Sequence, residues 1–264
     1  MSLESNIADL VSAANALTAE FNAKASSINT AVASAIAAIP VNVVSYYVDS
    51  VVGDDSATGA LEAPLKTLKA AIDRTPTGGA ATIYLNAGTT QRITAPVTIF
   101  NKYLYIGSYG AGDKPVLQSD ALVQAGQNTA YGLTLRESTI AFTGLKLRTA
   151  TLADGALPVA AAGLIQRADR AVGNIIVGSC DIELNAQHLA GTATSGGMLR
   201  MHFYSSAVTR PSTDGRLLAL SGSVADVSIN ALTLPAGTVL ADLFSGIVRD
   251  GSNVPRNFNS NIVL

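Results

Sequence analysis

A recurring eight-residue signature constrains this chain more than any other feature. It runs apolar, any, apolar, any, small, apolar, any, apolar. Copies stand at Ile140/Phe142/Gly144/Leu145/Leu147, Ile175/Val177/Ser179/Cys180/Ile182 and Val227/Ile229/Ala231/Leu232/Leu234. A weaker copy begins Leu104/Ile106/Ser108/Tyr109. Alternation with period two puts the apolar side chains on one face of a strand. The small residue interrupts the alternation and marks a tight corner. A strand–corner–strand unit buries only its inward face, and it does so on its neighbours, so repeated copies predict a solenoid. The copies start at 104, 140, 175 and 227, an uneven spacing that implies loops inserted at other corners. The competing reading is a β-sandwich whose strands alternate by coincidence.

Short alternating runs fill the rest of the chain from Ala81 on, among them Thr82–Leu85, Val97–Phe100, Leu133–Leu135 and Arg216–Leu220. Upstream, the β-branched and aromatic run Val41–Val48 reads as a strand. Asp49–Gly59 reads as a turn-rich loop. Ala63–Asp73 reads as a short amphipathic helix with Pro64 in its first position and Leu65, Leu68 and Ile72 on one face. An open solenoid end exposes unpaired strand groups and apolar surface. Leu65, Leu68 and Ile72 are therefore expected to cap that end near Ile83 and Leu85. Gly53 and Gly59 would let the loop fold back, and the adjacent Asp54 and Asp55 are expected to matter little to stability unless the loop holds a metal ion.

Residues 3–38 contain neither Gly nor Pro and are dense in Ala. This predicts a long helix, with Ser2 as its N-cap and Pro40 as its stop. Leu3, Ile7, Leu10, Ala14, Leu17 and Phe21 follow the steps of a coiled-coil seam. Lys24 interrupts it, and Ile28, Val32, Ile36 and Ile39 resume it with a stutter. Asn6, Ser12, Asn15, Thr18, Asn22 and Ser26 make the other face polar. A stripe this narrow predicts self-association.

Composition removes several function classes. Hydrophobic residues make up 48% of the 264 and charged residues only 14%, which excludes a disordered chain. The net charge of -2 resides in the first 44 residues (Glu4, Asp9, Glu20, Lys24), so the remainder sums to zero. No basic stripe for nucleic acid is present. A single cysteine, Cys180, excludes an internal disulfide framework and a cysteine-based zinc site. Its alignment with Leu145 and Leu232 predicts a buried small hydrophobe. No apolar run is long enough to span a membrane. Glu4 and Asp9 occupy the place of a positive n-region, so no secretory signal is expected.

Chemistry-bearing residues are sparse. Of the acids Asp113, Glu137, Asp154, Asp169, Asp181, Glu183, Asp214, Asp226 and Asp242, only Asp181 and Glu183 form an evident pair, two apart on one strand face. Alternation already explains them as a solvated outer face. His188 and His202 lack partners at metal-ligand spacing. Gly107–Lys114 has phosphate-loop glycines, but Asp113 stands where the lysine is needed. Asp49–Glu62 lacks calcium-loop spacing, and no Gly-x-Ser-x-Gly elbow exists. The expectation is no catalytic residue, no metal and no cofactor. Tyr103, Tyr105 and Tyr109 form an aromatic cluster suited to stacking on sugars or to packing at a subunit interface.

The stretch Tyr47-Val-Asp49, Gly53-Asp-Asp-Ser-Ala-Thr-Gly59, Ala63-Pro-Leu-Lys-Thr67-Leu-Lys-Ala70-Ala-Ile72, Ala81-Thr-Ile-Tyr-Leu85, Gly88 and Leu104-Tyr-Ile-Gly107 resembles the N-terminal lead-in of pectate-lyase-like right-handed parallel β-helix proteins. It covers residues 46–118. Preceded by a coiled-coil-like helix, it is similar to bacteriophage tail spikes and tail fibres. The resemblance implies a mainly β fold in three parts: an oligomerising and virion-attaching helix (1–39), a lead-in strand, loop and capping helix (40–80), and a β-helix body (81–264). It implies a homotrimer in the virion tail, made in the host cytoplasm, with other tail or baseplate proteins and host surface polysaccharide as partners. The expected function is structural or adhesive. The alternative is a glycan depolymerase on the same scaffold, although the Asn-x-Asp, Asp-Asp and Gly-His-Gly set of polygalacturonases is not found.

Overall fold

The computed structural model describes residues 2–37, 43–124, 127–152, 159, 161–168, 170–192 and 196–262. They fall into two compact units, residues 1–41 and 42–264.

The first unit is a helix, Leu3–Ala37. Ser2 caps it, its hydroxyl accepting the Ser5 N–H at 3.3 Å. Leu3, Ile7, Leu10, Ala14, Leu17, Phe21, Ile28 and Val32 are all exposed, Leu10 to 71%. Lys24, where the seam breaks, turns to Glu20 one turn back at 3.7 Å. The side chain of Ile36, and Ile39 and Pro40, lie outside the described residues. No helix among the described residues is long and apolar enough to cross a membrane.

The second unit is mainly β, and its ladders are parallel except for one hairpin, Ala121–Gln124 with Gln127–Ala130. Its strands form a 12-stranded sheet, a 6-stranded sheet and that hairpin. The first stack contains Val43–Val48, Ala80–Asn86, Tyr103–Tyr109, Ser138–Thr143, Val172–Gly178 and the first parts of Met198–Thr209 and Val224–Thr233. The second contains Thr90–Ile93, Val116–Ser119, Lys146–Arg148, Asp181–Glu183 and the end of Met198–Thr209. The third contains Val97–Phe100, Leu133–Arg136, Gly163–Arg167, His188–Thr192, Leu218–Ala219 and Phe244–Ser245. The chain visits first, second and third stack in turn before returning to the first.

Register follows the signature. Ile140 pairs with Leu104 and with Ile175, Phe142 with Ile106 and with Val177, and Leu147 with Ile182. All eight are buried. The corner residue adopts a left-handed backbone: Gly144 (φ 68°), Ser179 (52°) and Ala231 (62°). A tight reversal of this kind explains why the position is small. The uneven spacing has a further cause. A fifth copy, Met201/Phe203/Ser205/Ser206/Val208, lies between the second and third, with Ser205 at φ 49°. Ser206 replaces the corner hydrophobe and is buried because its hydroxyl accepts the Cys180 N–H at 3.1 Å and donates to the Tyr204 carbonyl at 3.0 Å. Cys180 is buried, which pushes its thiol up to about 11. The Leu104 copy departs at its corner: the left-handed residue there is Gly110 (φ 81°) and not Ser108.

The capping helix is shorter than expected, Leu68–Arg74. Pro64 does not start it. Leu65 instead bridges the first strand, donating to the Tyr47 carbonyl and accepting from the Asp49 N–H. Asp55 then accepts the Lys66 N–H, the Thr67 N–H and the Thr67 hydroxyl at 2.8–2.9 Å. Thr67 becomes the N-cap, accepting from the Ala70 N–H. Asp55 therefore ties residues 66 and 67 to the loop that precedes them. Leu65, Leu68 and Ile72 are nonetheless all buried. At Gly53 a Cβ would stand 2.2 Å from the Leu65 carbonyl oxygen, which explains the glycine by close approach.

One column of the core is interrupted by charge. Arg167 follows Ile99 and Leu135 in the third stack yet is only 2% exposed. Its guanidinium donates to the carbonyls of Ala168 and Ala171 and to the Ser223 hydroxyl. A Cβ at Gly197 would meet its Nη1 at 2.3 Å.

Candidate functional site

Strands buried on one face present the alternate residues outward, and parallel register lines those residues up across strands. On the first stack, one outward column runs Tyr103, Thr139, Asn174, Arg200, Asp226, Asn259. The next runs Thr82, Tyr105, Ala141, Ile176, His202, Ser228. A third runs Tyr47, Tyr84, Gly107, then Thr143, Gly178, Tyr204 and Asn230 farther along.

The middle of this face is hollowed into a groove of about 360 Å³. Thr139, Asn174, Ile176, Arg200, His202, Asp226 and Ser228 line it. Asn174 Nδ2 donates to Thr139 Oγ1 at 3.1 Å, and Asn259 Nδ2 donates to Asp226 Oδ1 at 3.2 Å. Arg200 Nε stands 4.0 Å from Asp226 Oδ2. The His202 and Tyr204 rings are 5.7 Å apart. Tyr204 lies across Gly178, where a Cβ would come within 1.9 Å of its Cζ. Glycine at 178 is therefore what allows the ring to cover the neighbouring strand.

Toward the strand Val43–Val48 the same face is tyrosine-rich, but the grouping differs from the one the sequence implies. Tyr103 and Tyr105 point outward, opposite buried Leu104 and Ile106, and Tyr103 is 49% exposed. Tyr109 leaves them. It meets Tyr47 edge-on at 5.1 Å, and Tyr47 stacks on Tyr84 at 5.2 Å. Beside this trio Asn86 donates to Asp49 at 2.6 Å. Burial, then the nearby Asp49, holds the Tyr109 phenol above its ordinary pKa. Strand pairing across residues far apart in sequence creates the trio, so spacing alone did not reveal it.

The second stack faces outward differently. Asp181 and Glu183 do share a face there, each beside a cation. Lys114 lies 2.7 Å from Asp181, while Lys146 at 2.6 Å and Arg148 at 2.8 Å flank Glu183. Burial raises the Glu183 pKa, but hydrogen bonds from Lys146 and Arg148 outweigh it and the net shift is downward. The pair is thus a neutralised ion ladder. His188 is 5% exposed, in the third stack, with no hydrogen-bond partner on Nδ1 among the described residues. Burial first, then Arg216, pushes its pKa down to about 4, so it is a neutral interior group. Asp154 and Asp169 lie outside the described residues.

The chemistry available in the groove is recognition by planar polar groups beside rings. Glycoside hydrolysis uses two carboxylates about 5–10 Å apart across the bond. Among the described residues lining the groove, Asp226 is the single carboxylate. No group of three His, Cys, Asp or Glu side chains suited to a metal occurs among the described residues. The groove was within reach of the sequence: once Ile140, Ile175 and Val227 are aligned, Thr139, Asn174 and Asp226 fall into one outward column.

No protein-family model matches the chain, and no curated protein matches it. Among solved structures it is similar to a GH136 lacto-N-biosidase from Eubacterium ramulus, with TM-score 0.42 and 13% identity over 72% of this chain and 42% of that one. It is also similar to a rhamnogalacturonan lyase, with TM-score 0.37 and 11% identity over 82% of this chain and 61% of that one. The chain thus spans less than two thirds of either protein, and both are named for activity on glycans.

Proposed function

We propose that the body is a right-handed parallel β-helix that engages polysaccharide along the outer face of its first stack. The helix of residues 3–37 would join copies into a homotrimer of the tail-fibre or tail-spike kind, carried in a virion tail and attached to other tail or baseplate proteins. The observation that carries the glycan reading is the outer face itself. Its tyrosines and its Asn174/Arg200/His202/Asp226 groove contribute nothing to the core, yet they combine rings with planar hydrogen-bonding groups, as sugar recognition requires. The cyclic order of the three stacks supports the β-helix. The exposed seam supports the oligomer, because a helix of about 50 Å cannot bury a stripe on itself.

Two measurements test this reading. Light scattering at micromolar concentration is expected to give three times the chain mass of 26.9 kDa, and a monomer overturns the oligomer. Affinity electrophoresis through polysaccharide gels is expected to show retardation of the folded protein, and free migration through every polymer overturns the glycan reading.

A second reading is glycan cleavage on the same face. His202 lines the groove and the Tyr204 ring lies 5.7 Å from it, so two side chains able to carry a proton lie together on this face, as general acid–base cleavage of a glycosidic bond requires. Incubation with the retarding polymer distinguishes the two readings: unsaturated or reducing-end products establish cleavage, and intact polymer leaves binding.

A further inference from the structure

The groove is electrically self-cancelling, and that points to the class of sugar it takes. Arg200 is the only cation among its described lining residues, and it already faces Asp226 at 4.0 Å. An acidic sugar seated there would meet the Asp226 carboxylate as closely as the guanidinium, and its desolvation would go uncompensated. The basic residues Lys146 and Arg148 of the second stack, and Lys114 beside it, are engaged with Asp181 and Glu183. Chain-wide charge offers a polyanion no more, since residues 45–264 hold equal numbers of acidic and basic groups.

The same side chains suit an uncharged pyranose. Carboxylate, guanidinium and amide are each planar with paired polar atoms, which match vicinal hydroxyls. Asp226 accepts, while Arg200 and Asn174 donate. Ile176, half-buried, lines the groove beside them in register with His202. An apolar floor receives the C–H face of a ring that a charged group would leave hydrated. The volume of about 360 Å³ lies at the low end of the ~300–1,000 Å³ of small-ligand sites. We infer that the groove of Asn174, Ile176, Arg200, His202 and Asp226 selects an uncharged pyranose unit and rejects uronates. This rests on the glycan reading of the face.

The test compares two sets of gels for the full chain, one with dextran, galactomannan and starch, the other with polygalacturonate, alginate and polyglucuronate. At least one neutral polymer is expected to retard the protein, and the retardation should persist at about 0.5 M salt, where screening removes long-range charge effects. No polyuronate should retard it. Asp226→Asn leaves Arg200 unopposed, so it should weaken neutral binding roughly tenfold and add salt-sensitive retardation by the polyuronates. Urea unfolding of the variant confirms that it is folded. Retardation of the wild type by polyuronates alone, abolished in Arg200→Ala, overturns the inference and leaves the glycan reading intact. Free migration through all six polymers overturns both.

Discussion

The outer faces of the first and second stacks are built on parallel strands over the same core, yet they spend their polar residues in different ways. On the second stack, Lys114, Lys146 and Arg148 lie against Asp181 and Glu183, and each charge has a near partner on the same surface. On the first stack, rings and amides dominate, and the one ion pair among the described residues, Arg200 with Asp226, is long and open to the groove. A pair of carboxylates on a strand is the feature that a search for catalysis picks out. Here it marks an ion ladder, in which Asp181 and Glu183 are each held by cations of the same surface. The face suited to binding carries few charges.

The largest expected effect removes the foundation the two faces share. Phe142 is fully buried beneath the first stack, between Ile106 and Val177 in register. Phe142→Ala should cost about 3–5 kcal/mol in urea unfolding, by lost burial and the cavity left behind. A loss below about 1 kcal/mol would mean that the faces do not rest on one packed interior.

Acid is next, and it acts from the third stack. The pKa of His188 is pushed down from 6.5 to about 4. Between those values the unfolded chain takes up a proton that the folded chain refuses. Stability is therefore complete above pH 6.5 and falls as pH drops toward 4, by about 3 kcal/mol. Glu183, lowered on the second face, acts in the same direction only near and below its ordinary value of 4.5. Unfolding between pH 6.5 and 5 thus isolates the histidine, and His188→Gln should flatten that segment. An unchanged slope in the variant would place the acid sensitivity elsewhere.

These expectations depend on register, and register was the part most legible in the sequence. Alternation at Ile140, Ile175 and Val227 showed which side chains point inward, and the small corner residues turned out to hold positive φ. The copy at Met201 was missed because Ser206 stands where a hydrophobe was sought, its burial made tolerable by bonds to Cys180 and Tyr204. The capping helix was drawn too long because Pro64 fits a helix start. Only the spatial neighbours Tyr47 and Asp55 reveal that residues 64–67 are held extended. The groove and the Tyr47/Tyr84/Tyr109 trio escaped notice for a common reason. They are assembled from adjacent strands tens of residues apart, and a one-dimensional pattern does not rank outward residues by what lies beside them.

Smaller effects sharpen the contrast. Glu183→Gln removes the partner of Lys146 and Arg148 on a half-exposed surface. It should cost about 1 kcal/mol and leave glycan retardation untouched. Weakened retardation would bring the second face into the site. Ala231, left-handed at φ 62°, carries strain that glycine lacks. Ala231→Gly should stabilise by roughly 0.5 kcal/mol, the relieved strain exceeding the added freedom of the unfolded chain. Destabilisation by the same change would mean that the corner is not strained.

The division between the faces is tested most directly by affinity electrophoresis of two double variants beside the wild type in the polymer that retards it. His202→Ala with Asn174→Ala alters the groove, and Lys146→Ala with Glu183→Ala alters the ion ladder. The groove variant should lose roughly tenfold in affinity, as expected when paired polar contacts to a ligand are removed, and the ladder variant should migrate as the wild type does. Equal losses in both, or a loss confined to the ladder variant, would contradict the assignment of polysaccharide to the first stack.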